Sequence, residues 1–389
     1  MVVILLFIGV AVQPSIAFDS VKNPIIPISK VNTLYVGGSG EGNYTTIQSA
    51  INHAYDGDTV FVYDEGSPYY EHLIVNKSIN LIGEDKNTTV IDGSGSKDVV
   101  CIYSRVNMSG FTIQNSGHDK SGILVFSSYS IIKGNIISNN DNGIYLLDYN
   151  NNNITSNNIS NNSIGIVLFF SNNNTIIGNN NSNNRGMYGM IFYYSNNNTI
   201  IGNIISKNDG IFLYYSNSNN IIGNNIILNK ESGIALFFSN NNTIMGNNNS
   251  NNRGSGISLV NSPYNTITGN NISLNNDDGI YIRYSNSNNI IGNNIISNNK
   301  YGIVIYGLGL YVSKGNTILK NNLINNKRNA IFYSQPSSLN HWDQNYWNRP
   351  RILPKLIFGR TSLIGKHEFP WINFDWRPAL KPYDIEGVI

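Results

Sequence analysis

Short apolar segments alternate with polar clusters through the middle of the chain, and this pattern recurs about every 23 residues. A glycine followed by apolar residues marks each repeat, at steps of 21 to 24 residues. A second glycine or serine follows some 12 to 13 residues later, usually within Thr-Ile-x-Gly-Asn or Asn-Ile-Ile-Gly-Asn-Asn. A period of this length predicts a solenoid. The marker glycines are Gly122, Gly143, Gly165, Gly189, Gly210, Gly233, Gly256, Gly279 and Gly302.

Each repeat contains three apolar segments that are rich in β-branched residues and separated by Asn, Ser and Gly. Segments 279–284 and 289–297 are examples, and their alternation with a period of two predicts β-strands. The fixed leucine pattern of leucine-rich repeats is absent. Three strands and three turns build one triangular coil, and stacked coils form three parallel sheets. We therefore predict an all-β fold, a right-handed parallel β-helix solenoid of roughly thirteen coils.

The core of this solenoid is predicted one and three positions after each marker glycine, where nearly every repeat has aliphatic residues. The positions between them vary in polarity, as expected for residues on the outer face of a strand. The expected inward residues are Ile144 and Leu146, Ile166 and Leu168, Ile211 and Leu213, Ile234 and Leu236, Ile257 and Leu259, Ile280 and Ile282, and Ile303 and Ile305.

The two ends of the chain differ from the repeats. Residues 1–17 contain an apolar run followed by Ser15 and Ala17, which is typical of a signal peptide, although retention as an anchor is the alternative. We expect a linker over 18–33, an N-terminal cap with the first irregular coils over 34–118, and regular β-helix repeats over 119–334. Within the N-terminal part, residues 45–54 place four apolar side chains on one face and predict a short capping helix. Residues 335–389, rich in Trp and Pro, are expected to form an irregular C-terminal cap.

The composition fits this geometry. Asn accounts for 71 of the 389 residues, whereas charged residues account for only 12%. Equivalent residues of stacked coils lie about 4.8 Å apart, so a buried Asn can bond the Asn above and below in an amide ladder. The net charge of +2 argues against nucleic acid as a partner. The single Cys101 excludes an intrachain disulfide.

Several segments resemble those of NosD-like exported β-helix proteins, a group common on archaeal cell surfaces. They are residues 44–62, residues 76–84, the Gly-Ile-x-Leu and Asn-Thr-Ile-x-Gly-Asn-Asn motifs of the repeats, and the ending from His341 to Trp347. The resemblance extends over about residues 34–389 and implies a pectin-lyase-like fold and an exported protein. It also implies a role as an accessory factor for a copper enzyme, because NosD itself serves the copper centre of nitrous oxide reductase.

Copper needs clustered His, Cys or Met ligands, and this chain lacks such a cluster in sequence. We therefore predict neither copper nor any other metal site from the ligand inventory, and leave Ca²⁺ open as a cofactor because β-helix lyases use it. The five histidines stand apart from one another at His53, His72, His118, His341 and His367.

Catalysis by β-helix enzymes requires clustered carboxylates or a basic residue. Asp277 and Asp278 are the only adjacent acids in the repeats, and Arg283 follows them closely. These three residues are the candidates for catalysis. The main interpretation is structural, because other repeats have Asp, Asn, Glu or Ser before the marker glycine, as in an Asx turn.

An aromatic column is the third candidate. Outward-facing rings are expected mainly four positions after the marker glycine, and these residues are the candidates for ligand binding: Phe169, Tyr193, Tyr214, Phe237, Tyr281 and Tyr306. The residues one position further on are expected to face inward: Phe170, Tyr194, Tyr215, Phe238 and Tyr284. Exposed rings along a rigid ridge could stack on sugars. The alternative is that both columns only stack among themselves.

Three functions follow from these features. The leading hypothesis is a secreted or cell-surface module that binds a polysaccharide or glycoprotein of the envelope without catalysis. The alternatives are a polysaccharide-modifying lyase, hydrolase or epimerase, and a NosD-type accessory protein for copper-enzyme maturation. The sequence predicts no membrane span in the mature chain and leaves the oligomeric state open.

Overall fold

A computed structural model of the protein describes residues 31–186, 188–307, 311–335, 338–361 and 368–385. The predicted signal peptide, most of the predicted linker and His367 lie outside these residues. The compact unit that begins at Asn32 contains the solenoid.

The prediction of a parallel β-helix is confirmed, with about 14 turns where the repeats suggested about thirteen. Each regular turn contributes one strand to each of three faces, and each strand pairs in parallel with the equivalent strands of the turns before and after it. Such pairing satisfies the backbone donors and acceptors along the whole array.

The first face consists of the strands that follow the marker glycines. Its strands are Leu73–Val75, Val100–Ile102, Ser121–Val125, Asn142–Leu147, Ile164–Phe169, Met190–Tyr193, Ile211–Tyr214, Ile234–Phe237, Ile257–Val260, Ile280–Arg283, Tyr301–Gly307, Arg328–Ser334 and Lys355–Thr361.

The second face follows the first in each turn. Its strands are Thr33–Val36, Thr59–Val62, Asn80–Gly83, Asn107–Ser109, Ile131–Lys133, Asn153–Thr155, Thr175–Ile177, Thr199–Ile201, Asn220–Ile222, Thr243–Met245, Thr266–Thr268, Asn289–Ile291, Thr317–Leu319, His341–Asp343 and Phe369–Asp375.

The third face completes each turn. Its strands are Val90–Asp92, Thr112–Gln114, Ile136–Ser138, Asn158–Ser160, Asn180–Ser182, Ile204–Ser206, Asn225–Ile227, Asn248–Ser250, Asn271–Ser273, Asn294–Ile296, Asn322–Ile324 and Tyr346–Trp347.

The inward columns predicted from the repeat form the core. Ile144 pairs with Ile166, and Ile257 pairs with Ile280, so the same position of successive turns is stacked in register. All fourteen predicted inward residues are fully buried. The apolar area removed from water in these columns is the main favourable contribution to stability.

The predicted asparagine ladder is confirmed, and there are three ladders, one at each corner of the triangle. In each, the Asn side-chain oxygen accepts from the Asn of the preceding turn, and the backbone N–H, in most turns together with the side-chain Nδ2–H, donates to the Asn of the next turn. Asn224, for example, accepts from the backbone N–H of Asn203 at 2.9 Å and donates Nδ2–H to Asn247 Oδ1 at 3.0 Å. These amides are buried and nearly all bonded, Asn152 Nδ2 being an exception, which explains why Asn outnumbers charged residues.

Glycine is required at the two repeated positions for different reasons. Gly269 lies at a corner with a φ of +65°, a left-handed conformation that glycine adopts without strain. The marker Gly279 has no such φ, but a Cβ there would lie 2.6 Å from the carbonyl oxygen of Gly302 in the next turn. The marker glycines therefore permit a close approach of successive backbones at the corner before the first face.

Both ends of the solenoid are covered. The predicted capping helix is Ile47–His53, with Thr46 Oγ1 accepting from Ser49 N–H as its N-cap. A 3₁₀ helix, Asp64–Gly66, follows. The C-terminal cap buries Trp342 and Trp347 and also contains an antiparallel hairpin, Lys355–Thr361 with Phe369–Asp375, which the prolines did not predict.

Candidate functional site

The outer surface of the first face carries three parallel columns of side chains along the solenoid, here together called the trough. Its floor is the column two positions after the marker glycine, which points outward and is buried in some turns and half-buried in others. Val167 is 6% exposed, Ile191 2% and Val304 5%. One wall is the aromatic ridge, four positions after the marker glycine. The other wall, here called the polar edge, is the column of residues that directly precede the marker glycines: Tyr188, Asp209, Ser232, Ser255, Asp278 and Tyr301.

The register aligns the predicted ligand-binding residues on the aromatic ridge. Phe169 pairs with Tyr193, Tyr193 with Tyr214, and Tyr214 with Phe237. After Val260 the ridge continues through Arg283 and Tyr306. Tyr281 belongs to the floor of the same trough. The structure therefore brings all six predicted residues to one surface.

The prediction for the second aromatic column was wrong. Phe170, Tyr194, Tyr215 and Phe238 face outward and are 37 to 45% exposed. Each has a left-handed φ of +47 to +50°, which ends the alternation of the strand and turns the side chain away from the core. A buried serine occupies the inward position that follows, for example Ser195 after Tyr194.

The two columns differ in how their rings pack. In the outer column the rings lie almost parallel, with Tyr194 and Tyr215 centroids 5.3 Å apart at 5° and Tyr215 and Phe238 centroids 4.8 Å apart at 5°. The ring faces of Tyr194 and Tyr215 are therefore covered by the neighbouring rings of the same column. On the ridge the contacts are edge-to-face, as between Tyr193 and Tyr214 at 5.8 Å and 72°.

Several tyrosine hydroxyls in the trough have no hydrogen-bond partner among the residues the structure describes. Burial raises the pKa of most of these phenols, so they are neutral donors at physiological pH. The trough thus presents ring surfaces together with hydroxyl groups that are free to bond a ligand. The tyrosines whose hydroxyls have no partner are Tyr145, Tyr188, Tyr193, Tyr214 and Tyr281.

Two of the three predicted catalytic candidates, Asp278 and Arg283, form a band across the trough together with the predicted ligand-binding residue Tyr281. Asp278 lies on the polar edge, Tyr281 on the floor and Arg283 on the ridge of one turn. Burial raises the pKa of the Tyr281 phenol, the Arg283 charge lowers it, and the Asp278 charge raises it. The Arg283 guanidinium lies 4.7 Å from the Tyr284 ring centroid and 5.6 Å from that of Tyr306.

Asp278 is not the Asx turn that the sequence favoured. Its Oδ1 accepts from the backbone N–H of Tyr301 in the next turn at 3.0 Å, not from its own turn. Burial, and then the charge of Asp277, raise the pKa of Asp278 to about 6. Asp277 itself pairs with Lys300 Nζ at 2.5 Å. Asp278 is therefore a carboxyl group that can exchange a proton near neutral pH.

A second pair of acids was missed from the sequence. Burial, and then the charge of Glu231, raise the pKa of Asp209, and both acids raise the pKa of Tyr188. Asp209 and Glu231 are one repeat apart in sequence and lie on neighbouring turns. The alignment of the repeats places both acids at the turn before the marker glycine, which the sequence pattern indicated to be structural.

One group of possible metal ligands occurs among the described residues. One ligand atom each of His118, Asp119 and Asp141 lies within 4.8 Å of the others. His118 Nδ1 is 2.9 Å from Asp119 Oδ2, and both side chains are highly exposed. Asp141 is distant from His118 and Asp119 in sequence because it belongs to the next turn. The group lacks a buried ligand and offers solvent-exposed oxygen and imidazole donors.

The profile of the right-handed beta helix region matches residues 32–205 and 90–249, together more than half of the chain. The profile of the periplasmic copper-binding protein (NosD) matches residues 180–365, a range without the His118 group. No curated protein sequence matches the chain.

Solved structures share the fold at low identity. The A-module of the Azotobacter vinelandii mannuronan C-5 epimerase AlgE4 is 17% identical, with a TM-score of 0.64 over 76% of this chain and 97% of that chain. The Dettilon tailspike protein (gp208) is 17% identical, with a TM-score of 0.60 over 84% and 73% of the two chains. The A. vinelandii AlgE6 A-module is 15% identical, with a TM-score of 0.55 over 78% and 95%. At these identities the likeness concerns the fold alone.

Among the described residues, no helix has the length and apolar character needed to cross a membrane.

Proposed function

Given that the chain belongs to the right-handed beta helix family, we propose that it is an exported, non-catalytic module that binds a polysaccharide of the cell envelope. The binding surface is the trough of the first face. The observation that supports this proposal is the row of unpartnered tyrosine hydroxyls along a surface that also carries half-buried aromatic rings.

A linear polymer suits such a surface. The trough repeats the same three positions in every turn, about 4.8 Å apart, so successive units of a polymer meet similar groups. Tyrosine offers an apolar ring and a polar hydroxyl at once, which matches the two characters of a sugar ring. The outer column contributes less, because parallel stacking covers most of its ring faces.

Export is part of the same proposal. The matched NosD family is described as periplasmic, and the N-terminal sequence is typical of a signal peptide. A polysaccharide of the envelope is the ligand available to a protein in that location.

A glycan array with the mature chain tests this proposal. We expect binding by the wild type and its loss in the Tyr193→Ala/Tyr214→Ala variant, which removes two neighbouring ridge rings. Tyr264→Ala is the matched control, because Tyr264 is 60% exposed and lies outside the trough. Binding that survives the double substitution would exclude the ridge, and an empty array would exclude the polysaccharide.

The band of Asp278, Tyr281 and Arg283 favours a second candidate, a polysaccharide-modifying lyase or epimerase. A carboxylate with a pKa of about 6 is suited to proton transfer near neutral pH, and Arg283 could neutralise a developing negative charge. Product analysis on any bound glycan, with and without Ca²⁺, separates the two functions. Turnover that is abolished in Asp278→Asn, with binding retained, would establish the enzyme.

A further inference from the structure

A cleft of about 690 Å³ lies at the C-terminal end of the solenoid. It opens between the start of the first-face strand Arg328–Ser334 and the hairpin strand Lys355–Thr361, with Trp347 beside it. Ile331, which continues the floor of the trough, reaches into its lining. The cleft is outside the predicted binding residues and outside the band of Asp278.

The lining carries positive charge without compensation. Arg328 of a first-face strand and Arg349, Arg351 and Lys355 of the segment that leads into the hairpin converge there, and no Asp or Glu among the described residues lines the cleft. Among the residues the structure describes, none of these four side chains forms an ion pair. At the rim, Arg360 pairs with Glu368 at 3.6 Å.

Two of these cations lack adequate partners. The Arg351 Nε is buried and has no hydrogen-bond acceptor among the described residues. The Lys355 ammonium donates to the carbonyl oxygen of Leu356 at 2.6 Å and lies 5.7 Å from the Trp347 ring centroid. A buried donor without an acceptor is unfavourable, and more so when it is charged.

The cations also oppose one another. Burial, and then the charge of Arg349, lower the pKa of Arg351, and burial followed by Arg351 and Arg349 lower that of Lys355. This mutual repulsion is relieved when an oxyanion binds between the cations. Arginine groups bind such oxyanions through paired N–H donors, which gives geometry as well as charge.

We propose that this cleft is a binding site for a phosphate or sulfate ester. Arg351 and Lys355 contact the oxyanion from within the cleft, and Arg328 and Arg349 contact it from the rim. The remaining volume of the cleft takes the group that carries the ester. This proposal is independent of the polysaccharide proposal, because it requires only the residues of the C-terminal cap and the last turn.

Thermal unfolding and calorimetry with inorganic phosphate test the site. We expect the melting temperature of the wild type to rise with phosphate and not with chloride at equal ionic strength. Arg351→Gln/Lys355→Gln should abolish that rise, weakening binding at least about tenfold. Without anion this variant should be as stable as the wild type or more so, because the repulsion is removed. A purely structural role for the two cations predicts the opposite.

Lys314→Gln/Lys320→Gln is the matched control, because it removes the same charge away from the cleft. If the cleft variant does not fold, Arg349→Gln, at an exposed position, replaces it, and the same loss of the phosphate effect is expected. The proposal is overturned if phosphate stabilises the wild type no more than chloride, or if the cleft variant keeps the effect.

Three further probes identify the carrier of the oxyanion. Glucose 6-phosphate and glucose 6-sulfate represent a modified saccharide, and vesicles of phosphatidylglycerol represent a lipid headgroup. Binding of a probe that is tighter than that of inorganic phosphate and is lost in the cleft variant identifies the carrier. If none of the esters binds the wild type, the proposal is wrong, even if inorganic phosphate does.

Discussion

At the scale of single residues, position in the trough decides what a side chain can do. Asp277 and Asp278 are neighbours in sequence, yet one pairs with Lys300 at the surface and the other is buried on the polar edge. The burial that makes Asp278 useful for proton transfer also disfavours its charged form in the folded protein. Its ionisation therefore has a cost in stability that a neutral amide would not have.

The cost of ionising Asp278 gives a pH-dependent prediction. Because the pKa of about 6 in the folded protein exceeds the ordinary aspartate value of 3.8, the folded state holds the Asp278 proton more tightly. The contribution to stability falls as pH rises between these values, by about 2 to 3 kcal/mol in total. Asp278→Asn keeps an acceptor for Tyr301 N–H, and its stability does not fall in this way because an amide does not ionise. Its stability relative to wild type should therefore increase from pH 4 to pH 7.5 in urea unfolding.

The control for this measurement is Asp148→Asn, which changes an exposed carboxyl group at a left-handed position that Asn also tolerates. Its stability relative to wild type should be the same at both pH values. A constant difference between Asp278→Asn and wild type over the same range would show that Asp278 ionises without penalty.

At the scale of elements, the strands and their register could be predicted from the repeat, and the corners could not. The period of two placed Tyr193 and Tyr214 in one outward column because both lie within extended strands. The same rule failed for Tyr194 and Tyr215, because a left-handed residue ends the alternation and nothing in a tyrosine signals that φ. The cationic cleft could not be predicted either, since the cap has no period to align Arg328 with the hairpin.

The stacked outer column stabilises its corner of the solenoid, and this can be measured at Tyr215. Its ring is stacked between Tyr194 and Phe238, and two such contacts contribute about 1 to 3 kcal/mol. The equivalent residue two turns later is Asn261, also at a positive φ, so the backbone accepts Asn there. Tyr215→Asn should therefore destabilise the protein by about 1 to 2 kcal/mol in urea unfolding, after partial relief of backbone strain.

Tyr264→Asn is the matched control for that variant. Tyr264 is also an exposed tyrosine at a left-handed corner, has no aromatic contact among the described residues, and has Asn241 as its equivalent one turn earlier. We expect no loss of stability from this substitution. Equal effects of the two variants would mean that the rings of the outer column contribute nothing beyond their own conformations.

At the scale of the whole molecule, a solenoid is stabilised turn by turn, so its ends determine where unfolding begins. One asparagine ladder runs through Asn321 and Asn345 and ends at Asp375 in the C-terminal hairpin. Every Asn in the ladder both accepts and donates, but the last position needs only an acceptor. A carboxylate is the side chain that accepts without donating.

Asp375 therefore closes the ladder, and its replacement should loosen the C-terminal turns selectively. Its two oxygens accept from Asn345 N–H at 2.9 Å, Trp347 Nε1–H at 2.8 Å and Gln344 N–H at 3.1 Å. Asp375→Asn turns one acceptor into a donor that faces other donors, at a cost of about 3 kcal/mol. Since neighbouring turns are coupled only to one another, hydrogen exchange should accelerate most in residues 317–347 and little in residues 131–206. Asp384→Asn, an exposed change in the same cap, should leave both regions unaffected. Uniform acceleration along the chain would instead mean that the solenoid unfolds as one cooperative unit.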